Sequence, residues 1–431
     1  MIDVSSDVAP VPRPVPSRDD VVIPHDCEPD TAAGLADDAR DAESAKGRLI
    51  GIDVARGLAL LGMMAVHILP PVGPDETMSI PWILSVGKSA ALFALLAGVG
   101  IAFSSGGRRR LTGRRRDAAA VSLVIRALTI GAVGLLLGYV VPADTAGIIL
   151  AYYAILFVLA IPLLTLSTRA LLILAAAVIV VVPVLSHLVR TQLPVATITN
   201  PTFTDLVTRP VDLVVELALT GLYPALPWLA YLCVGLAVGR ALLSSRGVVA
   251  QLGILGLVTA VVAAAGSWLL MNVFGGWDQL EATALRTMTD EDYTDLVVWG
   301  FDGVTPTTSP WWLGTLSPHS STPFDLAFTT GIALAVLAGS VLLGRVASRV
   351  LKPLAALGAM TFTLYALHLL MTSSPVQPAN EGLAFILQIA ILLTFALLWG
   401  RRFSRGPLEE AVWRLAGASR RLVLSADKKS S

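Results

Sequence analysis

RLIGIDVARGLALLGMMAVHILPP, residues 48–71, carries the reading on which the fold turns. It is a largely apolar run closed by a Pro-Pro pair, and at ~1.5 Å rise per residue it is long enough to cross the ~30 Å hydrocarbon core of a bilayer. Three ionisable groups interrupt it: Asp53 and Arg56 near one end and His67 near the other. An ionisable side chain inside a span costs about 2.5–3.5 kcal/mol on insertion scales, so each invites a functional reading. At ~100° per residue, Arg56 and His67 lie within about 20° of each other and Asp53 lies about 40° from His67, so all three share one helical face. Arg56 and His67 are separated by about 16 Å along the axis, comparable with a long extended ligand crossing much of the bilayer. Blander accounts stand beside this one. Asp53 and Arg56 at i, i+3 make an intrahelical ion pair that anchors the span, and His67 is satisfied at the interface by water or a carbonyl. A neutral imidazole near pH 7 also serves as a general base and then as an acid.

The same pattern repeats along the chain. Apolar runs fall near residues 50–69, 82–103, 118–141, 146–166, 169–189, 211–239, 248–274, 324–344, 353–373 and 382–399. The expected fold is therefore an all-α, polytopic transmembrane helical bundle of about ten spans. With 55% apolar and 14% charged residues and a mean hydropathy of +0.73, the 431-residue chain lies outside the range of soluble domains. Its zero formal net charge gives no field to draw nucleic acid. The sign is local: alternate connections carry Arg108, Arg109, Arg110, Arg114, Arg115, Arg116, then Arg169, then Arg240 and Arg246, then Arg345, Arg349 and Lys352, against Arg190, Arg209 and Arg286 on the other side. The positive-inside rule then puts both termini in the cytoplasm. Residues 1–47, with PVPRPVPSR and acidic pairs, read as a disordered cytoplasmic tail rather than a signal peptide. Residues 401–431, including LEEAVWRLAGASRRLVL, read as an amphipathic tail on the inner leaflet.

The ninth run, PLAALGAMTFTLYALHLLMTS, places Thr361, Tyr365 and His368 at i, i+4 and i+7, a polar stripe that faces a bundle interior for packing or for chemistry. Lys88 lies near the outer half of the second span, close in depth to His67, or snorkels to the interface. Arg126, below the arginine loop, pairs naturally with Arg56 as a phosphate-binding set on the cytoplasmic side. Glu216 and His187 are weaker candidates for an outer pocket, and neither His187 nor His319 belongs to a motif. The long connection 275–323 holds Trp277, Trp299, Trp311 and Trp312 among carboxylates, the makings of a sugar-binding surface or of an interfacial tryptophan belt. Cys27 and Cys233 form no disulfide or thiolate-metal framework, and neither an HExxH nor a Gly-rich phosphate loop occurs, so no metal is expected.

The first span, read with SAALFALLAGVGIAF, GIILAYYAILFVLAIPLL, TGLYPALPWLAYLCVGLAVGR and LGAMTFTLYALHLL, resembles the bacterial relatives of heparan-α-glucosaminide N-acetyltransferase, including the YeiB-like proteins. The last two stretches resemble domain of unknown function 418, which divides the membrane part at residues 48–210 and 211–400. The type-3 membrane acyltransferases look related through an Asp-x-x-Arg followed by a His, the spacing of Asp53, Arg56 and His67. The resemblance implies transfer of an acyl group from cytosolic acetyl-CoA or another acyl-CoA to a glycan or glycolipid acceptor outside a bacterial inner membrane. It puts CoA among Asp53, Arg56 and Arg126, and the chemistry at His67 with His368, Tyr365 or Lys88. One departure stands out: the lysosomal enzyme's catalytic histidine lies in the loop after the first helix, and LPPVGPDETMSIPW here has none. Either His67 does that work, as in the type-3 relatives, or this branch has lost the chemistry. A transporter or flippase of a lipid or glycan, using the stripe as a pathway, and a non-catalytic structural protein are the rival readings. Homo-oligomerisation is left open.

Overall fold

In a bilayer every backbone N–H and C=O must be satisfied within the protein, and helices do this segment by segment. The computed structural model describes residues 50–73, 75–106, 111–193, 199–241, 243–300 and 305–425. These are helical, with an isolated Val72–Met78 bridge and no strand among the described residues. The N-terminal tail and Arg108, Arg109 and Arg110 lie outside the described residues.

Seven described helices are long and apolar enough to cross a membrane, or up to nine if each of two bent pairs is one span. The chain is a multi-pass membrane protein. The first helix, α1, is Ile50–Ile68. α2 (Ile80–Ser85) and α3 (Lys88–Ser104) form the second span, followed by α4 (Gly113–Leu137). The expected fourth span is a shorter helix, α5 (Leu150–Leu163), of 14 residues with Pro162 near its end. α6 (Thr168–Arg190) is long, with Pro183 inside it, and α7 (Phe203–Thr208) lies in the connection after it.

The sixth apolar run is broken. α8 (Pro210–Val215) loosens into a π-turn over Glu216–Thr220, and α9 (Ala225–Gly239) resumes at 54° to it. Pro224, without an N–H to continue the ladder, ends the gap. α10 (Arg246–Trp268) runs on as a π-turn over Leu269–Val273, and α13 (Pro323–Val346) returns antiparallel and packs along it. The ninth run bends by 85° at Met360, between α14 (Lys352–Ala359) and α15 (Thr361–Thr372). α16 (Glu381–Gly400) and α17 (Pro407–Ser425) complete the chain.

The connection between α10 and α13 folds on itself through α11 (Gly276–Ala284), α12 (Asp290–Trp299) and a 3₁₀ turn, Pro310–Gly314. Met271, Leu280, Ala284 and a fully buried Trp312 make its small core, with Trp277 and Trp311 packed on it, and Trp299 meets Trp82 edge-on. Trp312 is a core residue, whereas Trp277, Trp299 and Trp311 are half-buried and Trp277 lines a cavity with Trp268 and Asn272. Asp290, Glu291 and Asp292 fall in the first turn of α12, where carboxylates complement the helix dipole.

α1 lies against several helices at once. A side chain on Gly57 would strike the Leu354 carbonyl, and one on Gly358 would land on the Asp53 carbonyl oxygen, so bare backbones alone let α1 and α14 cross this closely. α17 does more than line a membrane surface: it packs against α4, and its Glu409 carboxylate accepts from the Phe362 N–H at 2.7 Å, the Thr363 N–H at 3.1 Å and the Thr363 hydroxyl at 2.5 Å. Those donors are the orphan groups of the first turn of α15, so the bend at Met360 is satisfied from another helix.

Candidate functional site

Two polar regions share the α1 stripe. At the first, Arg56 donates to Asp53 at 3.2 Å, the i, i+3 pair expected as an anchor. Arg56 also lines a cavity of about 230 Å³ with Arg126, Gly100, Ile101, Phe93, Leu96, Tyr153, Phe157, Thr361, Tyr365 and Glu409. Arg126 is half-buried and has no carboxylate partner among the described residues. The Tyr153 hydroxyl is buried in the wall with no hydrogen-bond partner among the described residues. A mostly apolar cavity with two guanidinium groups, the Glu409 carboxylate and a free hydroxyl can take a ligand with an anionic group and hydrogen-bonding groups beyond it.

The second region is a histidine pair. His67 Nδ1 and His368 Nε2 are 3.0 Å apart, with rings parallel to within 2° and centroids 5.3 Å apart, an edge-to-edge hydrogen bond. His368 is fully buried, and its Nδ1 lies 2.9 Å from Gln388 Oε1. The Gln388 amide is oriented by its own Nε2, which donates to the Thr372 hydroxyl at 3.2 Å, and that hydroxyl donates to the His368 carbonyl at 3.0 Å. An amide oxygen only accepts, so His368 Nδ1 carries the proton and His368 Nε2 is a lone pair. His67 Nδ1 must then donate to it, which leaves the lone pair of His67 Nε2 for chemistry.

The stripe is brought together, with a gap. The cavity ends at Met63, Ile149 and Tyr365 and does not include His67. Met63 precedes His67 by four residues and Tyr365 precedes His368 by three, so the cavity stops about one helical turn short of the pair. Tyr365 closes that end, its hydroxyl donating to the Gly147 carbonyl at 3.4 Å. Lys88 Nζ donates to the Ile83 carbonyl at 2.7 Å, tying α2 to α3. Glu216 pairs with Arg209 at 2.9 Å, and His187 Nδ1 is buried without a partner among the described residues.

One residue of the site, Gln388, had no place in the sequence reading, and another, His319, entered it only as a histidine without a motif. Gln388 is a lone amide in LAFILQIAILL, a signal of the same kind as the stripe on α15. His319, from the 275–323 connection, packs edge-on against Tyr223, whose hydroxyl donates to the same Gly147 carbonyl as Tyr365. No local pattern marks His319. Among the described residues, no group of three His, Cys, Asp or Glu side chains is placed to hold a metal ion.

The fold and this site define a multi-pass helical membrane protein in which one stripe joins an arginine-lined cavity to a buried histidine pair. The chain belongs to the family of the heparan-alpha-glucosaminide N-acetyltransferase catalytic domain, whose family model matches residues 48–271. Its function is thereby membrane acetyltransferase-like, in a family that uses acetyl-CoA as co-substrate. The match includes Asp53, Arg56, His67, Lys88 and Arg126 and ends before His319, Tyr365, His368, Gln388 and Glu409. No curated protein matches the chain.

Proposed function

We propose that this protein is an acyltransferase of a bacterial plasma membrane, with both termini cytoplasmic, that moves an acetyl or other acyl group from cytosolic acyl-CoA to the amine or hydroxyl of an extracytoplasmic glycan or glycolipid. The observation that carries the reading is the cavity that starts at Arg56 and the unpaired Arg126 and ends one turn from the His67–His368 pair. Arg126 and Arg56 hold the phosphates, and Tyr153 offers its unused hydroxyl to an amide of the arm. Acyl-CoA supplies the activated thioester carbonyl. His67 Nε2 takes the proton of the amine or hydroxyl as that atom bonds to the thioester carbonyl carbon, and the imidazolium returns the proton to the CoA sulfur as the C–S bond breaks and CoA leaves as the thiol. His368, held by Gln388, keeps His67 in the required tautomer and stabilises the imidazolium that forms. Tyr365 stands at the end of the cavity toward the pair, and its hydroxyl, turned from its long 3.4 Å bond to the Gly147 carbonyl, is the donor that steadies a developing oxyanion.

Titration of the purified protein with acetyl-CoA tests this reading. The wild type should bind, and Arg126→Gln should bind about 10-fold or more weakly with an unchanged unfolding temperature, since a charge-assisted contact contributes roughly 1.5–3 kcal/mol. A wild type that binds no acetyl-CoA yet carries a solute across vesicles would replace this reading with the transporter.

A further inference from the structure

The loop Ser317-Pro318-His319-Ser320-Ser321 is fixed from every side. Ser317 donates to the Val297 carbonyl at 3.2 Å, the Thr322 hydroxyl donates to the Thr315 carbonyl at 2.8 Å, and the Ser321 N–H donates to Asp325 at 3.1 Å. Its backbone passes between Gly87, at the start of α3, and Gly300, where a side chain would meet the Pro318 carbonyl. Three non-glycine residues among those described have positive φ, and two are in this loop: His319 at 57° and Ser321 at 49°. L-residues adopt that region at a cost, which a structure bears most often where a side chain must be aimed. The same two residues bear the loop's unsatisfied groups. His319 Nδ1 and the Ser321 hydroxyl are buried with no hydrogen-bond partner among the described residues, although their neighbours Ser317, Ser320 and Thr322 all have one.

Buried polar groups without partners are uncommon, and two on one strained loop mark a place where a ligand completes the hydrogen bonding. The loop lies against Gly87 at the start of α3, beside Lys88, and Tyr223 connects it to the Tyr365 end of the cavity, since both phenols donate to the Gly147 carbonyl. The His319 ring rests edge-on against Tyr223, with centroids 5.5 Å apart. Burial, with the Lys88 ammonium nearby, holds the imidazole down to about 4, so at neutral pH it is uncharged. The cavity at Arg56 includes neither His319 nor Ser321.

We infer that His319 and Ser321 form the acceptor subsite, a neutral pair of hydrogen-bonding groups outside the acyl-CoA cavity that presents an amino or hydroxyl sugar to His67. This rests on the acyltransferase reading and extends it to the second substrate. The loop donates no charge to the sugar; it selects by hydrogen bonds from and to uncharged groups, which suits a neutral hydroxyl or a deprotonated amine awaiting acylation. His319 binds the acceptor, and proton removal stays with His67.

The test is steady-state transfer of labelled acetyl from acetyl-CoA to glucosamine by the solubilised protein, with acetyl-CoA binding measured on the same samples. His319→Ala and Ser321→Ala should each raise the KM for glucosamine about 3- to 10-fold, as expected for loss of one hydrogen bond to a neutral group, and leave acetyl-CoA affinity unchanged. His319→Gln, which keeps a donor and an acceptor and guards against misfolding of the alanine variant, should recover part of the loss. Unaltered glucosamine KM in all three variants would overturn the subsite and leave the acyltransferase reading intact. A wild type that binds acetyl-CoA but acylates neither amino nor hydroxyl sugars would also overturn the subsite, whereas a wild type that binds no acetyl-CoA would overturn both.

Discussion

In the proposed reaction the basicity of His67 rests on a tautomer, and the tautomer rests on Gln388. With Gln388 Oε1 accepting from His368 Nδ1, the proton order along His368 and His67 is determined and His67 Nε2 is left basic. Gln388→Leu removes the closer acceptor of the His368 Nδ1–H and leaves the Thr372 hydroxyl, at 3.2 Å, as its remaining partner, at a cost of about 0.5–1.5 kcal/mol. The expected outcome is a lower unfolding temperature and a kcat reduced at least 10-fold with acetyl-CoA affinity retained, and Gln388→Glu, which still accepts, should restore part of the rate. Loss of stability alone, with kcat unchanged, would make the amide a packing residue. At this scale much of the site is legible. Asp53, Arg56 and His67 announce themselves as ionisable groups on one face of a span, and Thr361, Tyr365 and His368 as a stripe. What a single helix cannot show is which stripe meets which: the contact between His67 and His368 joins residues 301 positions apart. His319 is harder still, because a histidine in a hydrophilic loop breaks no pattern.

At the scale of elements, hydropathy finds the spans and misses their bends. The apolar runs 211–239 and 353–373 read as continuous because the polarity of the sequence does not change at a bend. The bend at Met360 is made tolerable by Glu409, some 46 residues away, which no local signal reveals. Glu409→Ala should therefore expose the first turn of α15, lower stability by about 1–2 kcal/mol as loss of a cap does, and reduce transfer by misplacing Tyr365 and His368. Thermal unfolding followed by activity of the folded fraction checks this, and a full rate in that fraction would show that α15 holds its place without the cap. The crossing of α1 and α14 gives a second expectation. Gly358→Val drives a side chain into the Asp53 carbonyl, and overpacking of this kind costs about 1–3 kcal/mol or more. Detergent-extracted yield should fall sharply, while the same change at Gly339, where a side chain meets nothing within 4 Å, should be harmless.

For the whole molecule, the arginine distribution gives an orientation that the helices alone do not. Reporter fusions at Gly113 and Ser348 should read cytoplasmic and fusions near Asp292 external, and an external Gly113 would put the arginine-lined cavity on the wrong side for cytosolic acyl-CoA. The proposal as a whole makes the membrane part of the reaction: the donor is held from one face and the acceptor from the other, and His67 is the group that must act between them. Sealed vesicles with acetyl-CoA supplied at the cytoplasmic face and glucosamine enclosed at the other test that directly. The account predicts labelled product in wild-type vesicles. In His67→Ala vesicles it predicts a rate lower by about 10²- to 10⁴-fold, the range of general-base assistance, with protein yield and acetyl-CoA binding close to wild type, since the unpaired His368 Nε2 costs only about 1–3 kcal/mol. Transfer by the His67→Ala protein at near the wild-type rate would contradict it.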